Sequence, residues 1–422
     1  MATWRNRHVK SLIGLLAALS LFWLVAASLS LAADAPNSCL DCHSALDAPL
    51  QVTTDQYAQD IHAQKGLSCA SCHGGNPSDD GPDAMSKKAG FIGKPSRKDI
   101  PALCGKCHSD GAYMRKFNPS LRTDQFSQYG TSVHGQRLAK GDTKVAVCID
   151  CHGVHGIRPS NDTRSKVHPV NVAETCSRCH ANSGYMKDYK IPTSQYAEYT
   201  AGVHHEALAV RGDLSAPTCT TCHGNHGAAP PGLSSVQNVC STCHVFQSQL
   251  FDSSPHKVAF ASASLPGCVT CHSNHKIVHP TDAMLGSGPG SICTNCHTSG
   301  DAGYDAANHF HKQLNALQVA IAHSDEILKR AEASGMEVSE SRLEQDQASD
   351  ALTKARVSIH SFQQAKVEPD IQSGMKIAEK TYAAGVQALK ERDYRRWGLA
   401  VSVVTILIVV IALGMYIKQI EK

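Results

Sequence analysis

Cys148-Ile149-Asp150-Cys151-His152-Gly153-Val154-His155 is the stretch on which the reading of this chain turns. Two cysteines three positions apart, closed by a histidine, recur nine times, in pentapeptides beginning at Cys39, Cys69, Cys104, Cys148, Cys176, Cys219, Cys240, Cys268 and Cys293. Their second cysteines are Cys42, Cys72, Cys107, Cys151, Cys179, Cys222, Cys243, Cys271 and Cys296, so the pattern uses all 18 cysteines of the 422 residues. Random placement of 18 cysteines and 24 histidines would give about 0.04 such copies. C-x-x-C-H is the attachment site of a c-type haem: the two thiols add to the vinyl groups of one porphyrin, and the adjacent histidine binds the iron from one face. The nine motif histidines are His43, His73, His108, His152, His180, His223, His244, His272 and His297.

Other uses of cysteine fit poorly. A zinc site pairs two C-x-x-C units at finger-like spacing and needs no histidine after each. A disulfide framework would not hold every cysteine three positions from its neighbour. Nine Phe and three Trp are too few for large cores, and a net charge of +3 from 40 basic and 37 acidic residues speaks against nucleic acid. From Cys39 to His297 there are 259 residues for nine haems, about 29 each. So little chain per cofactor requires the macrocycles to pack on one another and serve as the core.

The spare histidines repeat with the motifs. Cys104 to His108 is followed by Gly111-Ala112-Tyr113-Met114, Tyr129 and Val133-His134; Cys176 to His180 is followed by Ser183-Gly184-Tyr185-Met186, Tyr199 and Val203-His204. Each series leads to a motif with a further histidine three residues on, His152 with His155 and His223 with His226. The pattern returns at His256, His272 and His275, and in shortened form at His62 and Cys69. The unit is therefore an upstream histidine followed by two motifs, with one motif left over at Cys39. His62, His134, His155, His168, His204, His226, His256, His275 and His279 are the expected second axial ligands, with His205, His309 and His311 as further candidates. Met114 and Met186 are alternatives whose Tyr-Met setting reads as packing. Two imidazoles saturate the iron and hold its potential below that of a His/Met pair. The basic stretch Lys87, Lys88, Lys94, Arg97 and Lys98 reads as a solvated loop, with propionate neutralisation or partner docking as the functional alternative.

The ends of the chain point to a membrane. Arg5, Arg7 and Lys10 precede an apolar run closing near Ser30-Leu31-Ala32, the pattern of an export signal or an uncleaved anchor. Trp397 to Ile417 is 21 residues without a charge, long enough to span a bilayer. Lys390, Arg392, Arg395 and Arg396 before this run would by charge alone lie in the cytoplasm. The need to attach haem on the exported side reverses that, leaving 418–422 as a cytoplasmic tail. Between haem region and span, Leu314, Leu317, Ile321 and Leu328, then Leu352, Ala355, Ile359 and Phe362, then Met375, Ala378, Tyr382 and Leu389 recur at helical spacing, with Gly335 and Pro369 as expected breaks. His323 and His360 in this region read as helix-surface or core histidines, with contact to a cofactor as the alternative.

The expected fold is mostly α with extensive irregular loops. A signal peptide at 1–32 is followed by a haem-packed nine-haem domain at 33–300, a helical module of about three helices at 301–396, and a transmembrane helix at 397–417.

These motifs resemble the multihaem c-type cytochromes, specifically the class III-like and doubled-CXXCH cytochromes of respiring bacteria. The resemblance covers Cys39 to His297. It implies a carrier in anaerobic respiration, facing the periplasm, that receives electrons from a menaquinol-oxidising membrane complex or b-type cytochrome. It would pass them to downstream periplasmic redox proteins, terminal reductases or extracellular acceptors. A helical segment after many haems is also similar to cytochrome c nitrite reductase and hydroxylamine oxidoreductase, which implies the alternative of an oxidoreductase for nitrite, hydroxylamine or tetrathionate with one open haem. The C-x-x-C-K variant of nitrite reductases is absent. A third reading is an assembly scaffold whose helical module binds partners or a second copy of the chain.

Overall fold

Each C-x-x-C-H pentapeptide is long enough for one helical turn, which places residues i, i+3 and i+4 on one side. In the computed structural model, which describes residues 37–232 and 236–421, four motifs are such isolated turns: Cys69–His73, Cys148–His152, Cys219–His223 and Cys268–His272. Two others close longer helices, Ile100–His108 and Pro169–His180. The expected export signal lies outside the described residues, which contain helices, turns and loops and no strand.

Short helices carry the upstream histidines: Ile61–Gln64, Val133–Ala139, Val203–Ala209 and Pro255–Ser262. Five residues before each of these histidines stands an aromatic ring with a repeated role. The Tyr57, Tyr129 and Tyr199 hydroxyls donate to the carbonyls of Leu67, Ala146 and Pro217 at 3.4, 2.9 and 2.9 Å, each two residues ahead of a motif. In the fourth copy Phe251 replaces the tyrosine and is buried.

The chain divides into two compact units, one ending at Asn171 and one starting at Val172. In the first, Asp60 caps Ile61–Gln64 and also accepts from Ile157 N–H at 2.9 Å, while Ile61 N–H donates to Ile157 carbonyl at 2.8 Å. In the second, Val203 N–H donates to Ile277 carbonyl at the same 2.8 Å. The loop following a C-H-x-x-H motif is thus pinned to an upstream-histidine helix in both units.

Large, fully buried side chains concentrate after residue 300: Leu314, Leu317, Leu328, Val367 and Thr381 are in that group, against Val147 alone among the larger residues before it. Three helices build that core, α1 (Ala302–Ala333), α2 (Ser339–Ser358) and α3 (Gln364–Ile420). Phe310, Leu314, Leu317, Leu352, Ala355, Ile359, Val367 and Ile371 form one cluster, and Ile327, Leu328, Ala331 and Val338 a second. Gly374 lets α1 and α3 approach, since a Cβ there would lie 2.9 Å from Leu317 Cδ1.

Two sequence expectations fail here. Pro369 does not break the chain but lies in the second turn of α3, where it removes one intrahelical donor; the break is the turn at 359–363. Tyr382 is exposed, and the buried stripe runs through Thr381 and Gly385. The helix α3 continues without interruption into the apolar run, whose side chains are all exposed. It is a candidate membrane span by length and composition.

Candidate functional site

Covalent attachment and iron ligation can be tested separately on this geometry. A metal–nitrogen bond of about 2.0–2.1 Å on each side, plus about 1.1 Å from nitrogen to ring centre, sets two imidazoles bound to one iron roughly 6 Å apart. Among the described residues, the following histidine pairs have that spacing. Their ring centres are 6.0 Å apart for His62/His108, 6.3 Å for His73/His155, 6.3 Å for His204/His244, 6.0 Å for His223/His275, 6.0 Å for His256/His297 and 6.0 Å for His272/His360. Every pair contains one motif histidine and one from outside the motifs. The interplanar angles range from 9° to 89°, as free rotation about each metal–nitrogen axis allows. The residues therefore fit haem held between two histidines.

The pairs obey a register. An upstream histidine skips the next motif and faces the one after: His62 precedes Cys69 and faces His108, His204 precedes Cys219 and faces His244, His256 precedes Cys268 and faces His297. The histidine of a C-H-x-x-H motif faces back two motifs: His155 faces His73 and His275 faces His223.

Hydrogen bonds fix which ring nitrogen is available. A carbonyl or carboxylate oxygen only accepts, so a ring Nδ1 beside one must carry the proton, leaving the Nε2 lone pair for a metal. His43 Nδ1–H donates to Leu50 carbonyl at 2.8 Å, His73 to Gly93 at 3.0 Å, His223 to Ala229 at 3.3 Å and His360 to Val357 at 2.9 Å. Two donate to carboxylates, His62 to Asp60 and His297 to Asp301, both at 3.0 Å. Burial raises the Asp60 pKa, but bonds from the His62 ring and from the Ile157 and His62 N–H groups outweigh it and hold the carboxyl below its usual value. Asp301 is held low by the Tyr304 and Thr298 N–H groups and then by His297. Burial lowers the pKa of His155, His180, His204, His256, His272, His275 and His360, a shift toward the neutral form that a metal ligand needs.

Attachment cysteines of successive motifs are neighbours. The thiols of Cys104 and Cys148 lie close enough to shift each other's titration, as do those of Cys176 and Cys219, and of Cys240 and Cys268. Cys39 lies within electrostatic range of Cys69, Cys72 of Cys104 and Cys107, Cys222 of Cys243, and Cys271 of Cys293 and Cys296. Within each unit, haems attached at these sulfurs would be consecutive neighbours.

His168 is buried, and its Nδ1 accepts from Val170 N–H at 3.4 Å; His279 is 69% exposed beside Glu206. Among the described residues neither has a motif imidazole opposite it, and the same holds for His309 and His311. His134 and His226 are half-buried on the Val133–Ala139 helix and on the loop after Cys219–His223. His205 packs its ring on Tyr199. Met114 and Met186 are buried, the packing role their setting suggested. Of the basic stretch, Lys87, Lys88, Lys94 and Lys98 are exposed, whereas Arg97 binds Asp150 and the carbonyls of Thr143 and Val145. Sequence reasoning ranked His360 as a helix-surface or core histidine ahead of a cofactor contact, because it occurs once, inside a helical pattern, without the repetition that marks the other candidates.

Comparison with known proteins agrees with this geometry. Residues 61–181 match the cytochrome c3 family model. The C-type polyheme cytochrome OmcC of Geobacter sulfurreducens is 24% identical over 214 residues, covering 44% of this chain and 26% of that protein. The match thus spans about a quarter of the relative's length. No solved structure matches.

Proposed function

Starting from the chain as a multihaem c-type cytochrome, we propose that it is a membrane-anchored relay with nine covalently bound haems facing the periplasm. It takes electrons from a quinol-oxidising membrane complex or b-type cytochrome and delivers them to downstream periplasmic redox proteins. The observation that carries this reading is the set of imidazole pairs at 6.0–6.3 Å. A bound haem supplies one-electron redox chemistry. The chain's own part is to occupy both axial positions with neutral imidazoles, which leaves no coordination place for a substrate and favours transfer over catalysis. Its second part is spacing: Cys104 lies near Cys148 and Cys240 near Cys268, which supports successive attachment points being neighbours. The exposed run from Trp397 supports anchoring in a bilayer, and haem attachment on the exported side supports the orientation.

A pyridine haemochrome assay on the purified protein should give nine haems per chain, and electron paramagnetic resonance of the oxidised form should show low-spin ferric iron throughout. A stoichiometric high-spin signal with turnover of nitrite, hydroxylamine or tetrathionate would replace the relay by the oxidoreductase reading. A protein that quinol-dependent membranes cannot reduce would leave it an assembly scaffold.

A further inference from the structure

The pairing register supplies no ligand for the motif at Cys268, nor for the first motif at Cys39. Histidines that follow C-H-x-x-H motifs face back two motifs, as His155 does to His73 and His275 to His223. By that rule the motif at Cys268 needs a histidine after a tenth motif, and the chain has nine. The position opposite His272 is filled instead by His360, from the turn between α2 and α3, with ring centres 6.0 Å apart and planes within 18°. Its Nδ1–H is committed to Val357 carbonyl at 2.9 Å, which leaves Nε2 as the bare nitrogen.

We propose that His360 is the second axial ligand of the haem attached at Cys268 and Cys271, so that the helical module completes a redox site. The inference rests on that motif carrying a haem, as the relay reading holds.

The turn is built for this placement. Ile359 and Ser361, on either side of His360, are buried, and Ser361 Oγ donates to Ser358 carbonyl at 2.7 Å. Phe362 takes a left-handed backbone with φ +52°, unusual for a bulky residue, and packs its ring 4.0 Å from His256, the histidine facing His297. One turn therefore supplies a ligand at one site and packs on the ligand of the next. Gln363 Nε2 donates to Ser253 carbonyl at 2.9 Å and Lys366 Nζ to Ser253 Oγ at 3.0 Å, fastening the start of α3 to the segment just ahead of His256. The helix that begins here is the one that continues into the apolar run.

The test uses the full-length, haem-loaded protein, with haem content measured first. A count below nine in the unmutated protein strikes the relay reading itself, independently of His360. In His360→Ala the count should be unchanged, with one haem equivalent converted from low-spin to high-spin ferric iron. That equivalent should bind carbon monoxide when reduced and return to low spin on adding imidazole. His360→Met, which retains a ligand, should stay low-spin and raise one potential, as a His/Met pair does. His323→Ala, removing an exposed histidine of α1, should change none of these. The assignment is overturned if His360→Ala stays wholly low-spin and binds no more carbon monoxide than the parent. If His360→Ala loads poorly, the methionine variant decides: one raised potential supports the assignment, and an unchanged set of potentials or a methionine variant as poorly loaded as the alanine overturns it.

Discussion

Replacing Asp60 by Asn should shift one haem potential upward and leave the others in place. Asp60 is 9% exposed and accepts three bonds: Oδ1 from the His62 N–H at 2.8 Å and the His62 ring at 3.0 Å, and Oδ2 from Ile157 N–H at 2.9 Å. An iron between His62 and His108 would lie roughly 7 Å from that carboxylate, the 3.0 Å bond plus about 4 Å across the ring. At an effective dielectric constant of about 20, one charge at that distance is worth about 2.4 kcal/mol. For a one-electron couple, where a tenfold change in equilibrium is about 59 mV, this corresponds to roughly 100 mV. Solvent around the half-exposed His62 ring reduces it, so a rise of roughly 50–100 mV is expected. The sign follows from charge: the carboxylate favours ferric over ferrous iron, and removing it favours reduction. Asn keeps an oxygen toward His62 but turns an NH₂ toward Ile157 N–H, losing one buried bond at a cost of about 1–3 kcal/mol. Spectroelectrochemical titration of the parent and Asp60→Asn proteins reads the shift, and paramagnetic resonance checks that the iron stays low-spin. An unchanged set of potentials would refute the argument, as would a new high-spin haem, which would make Asp60 a prop for His62 and not a source of field.

Three further outcomes are expected. Gly303→Ala would put a Cβ 2.1 Å from His297 Cε1, so it should displace that ring and alter the low-spin signal of one haem; an unchanged spectrum counts against the placement of α1 over His297. Thr381→Val strips the buried bonds to Ser324 Oγ at 2.7 Å and Gln345 Oε1 at 2.6 Å, and should lower the helical module's stability by about 1–3 kcal/mol in thermal melts followed by circular dichroism. A chain ended after Arg396 should be released from membranes by alkaline carbonate while keeping its haem content; if it stays with the pellet, the run from Trp397 is not the anchor.

The sequence made the motifs legible because each is a contiguous pentapeptide, and it made the unit of one histidine plus two motifs legible because Tyr129-to-His134 and Tyr199-to-His204 repeat. Which histidine faces which iron was hidden. His62 stands seven residues ahead of Cys69 and yet faces His108, so proximity along the chain is the wrong guide. His168 and His279 counted as candidates by nearness to motifs, but side-chain direction is a tertiary property that spacing does not carry. Pro369 suggested a helix start because prolines interrupt helix interiors, whereas near the start of α3 it removes only one donor. The unbroken passage of α3 into the apolar run was readable in outline, since no turn signal separates Leu389 from Trp397.

The six pairs also say how a region with so few buried side chains keeps a fixed shape. Ordered along the chain, they interleave: His62, His73, His108 and His155 alternate between two sites, as do His204, His223, His244 and His275, and then His256, His272, His297 and His360. A haem fixed covalently at its motif and ligated from a distant segment closes a loop of chain, and the entropy cost of closure grows only slowly with loop length. Two interleaved loops are mutually dependent, because neither distal segment can move away without dragging a motif of the other. The effect would be that of paired cross-links, which constrain the unfolded chain as disulfides do. The last interleaved set includes His360, so with haem bound as proposed the same constraint would extend through the turn at 359–362 into α3, and hold the candidate membrane span in register with the last two sites.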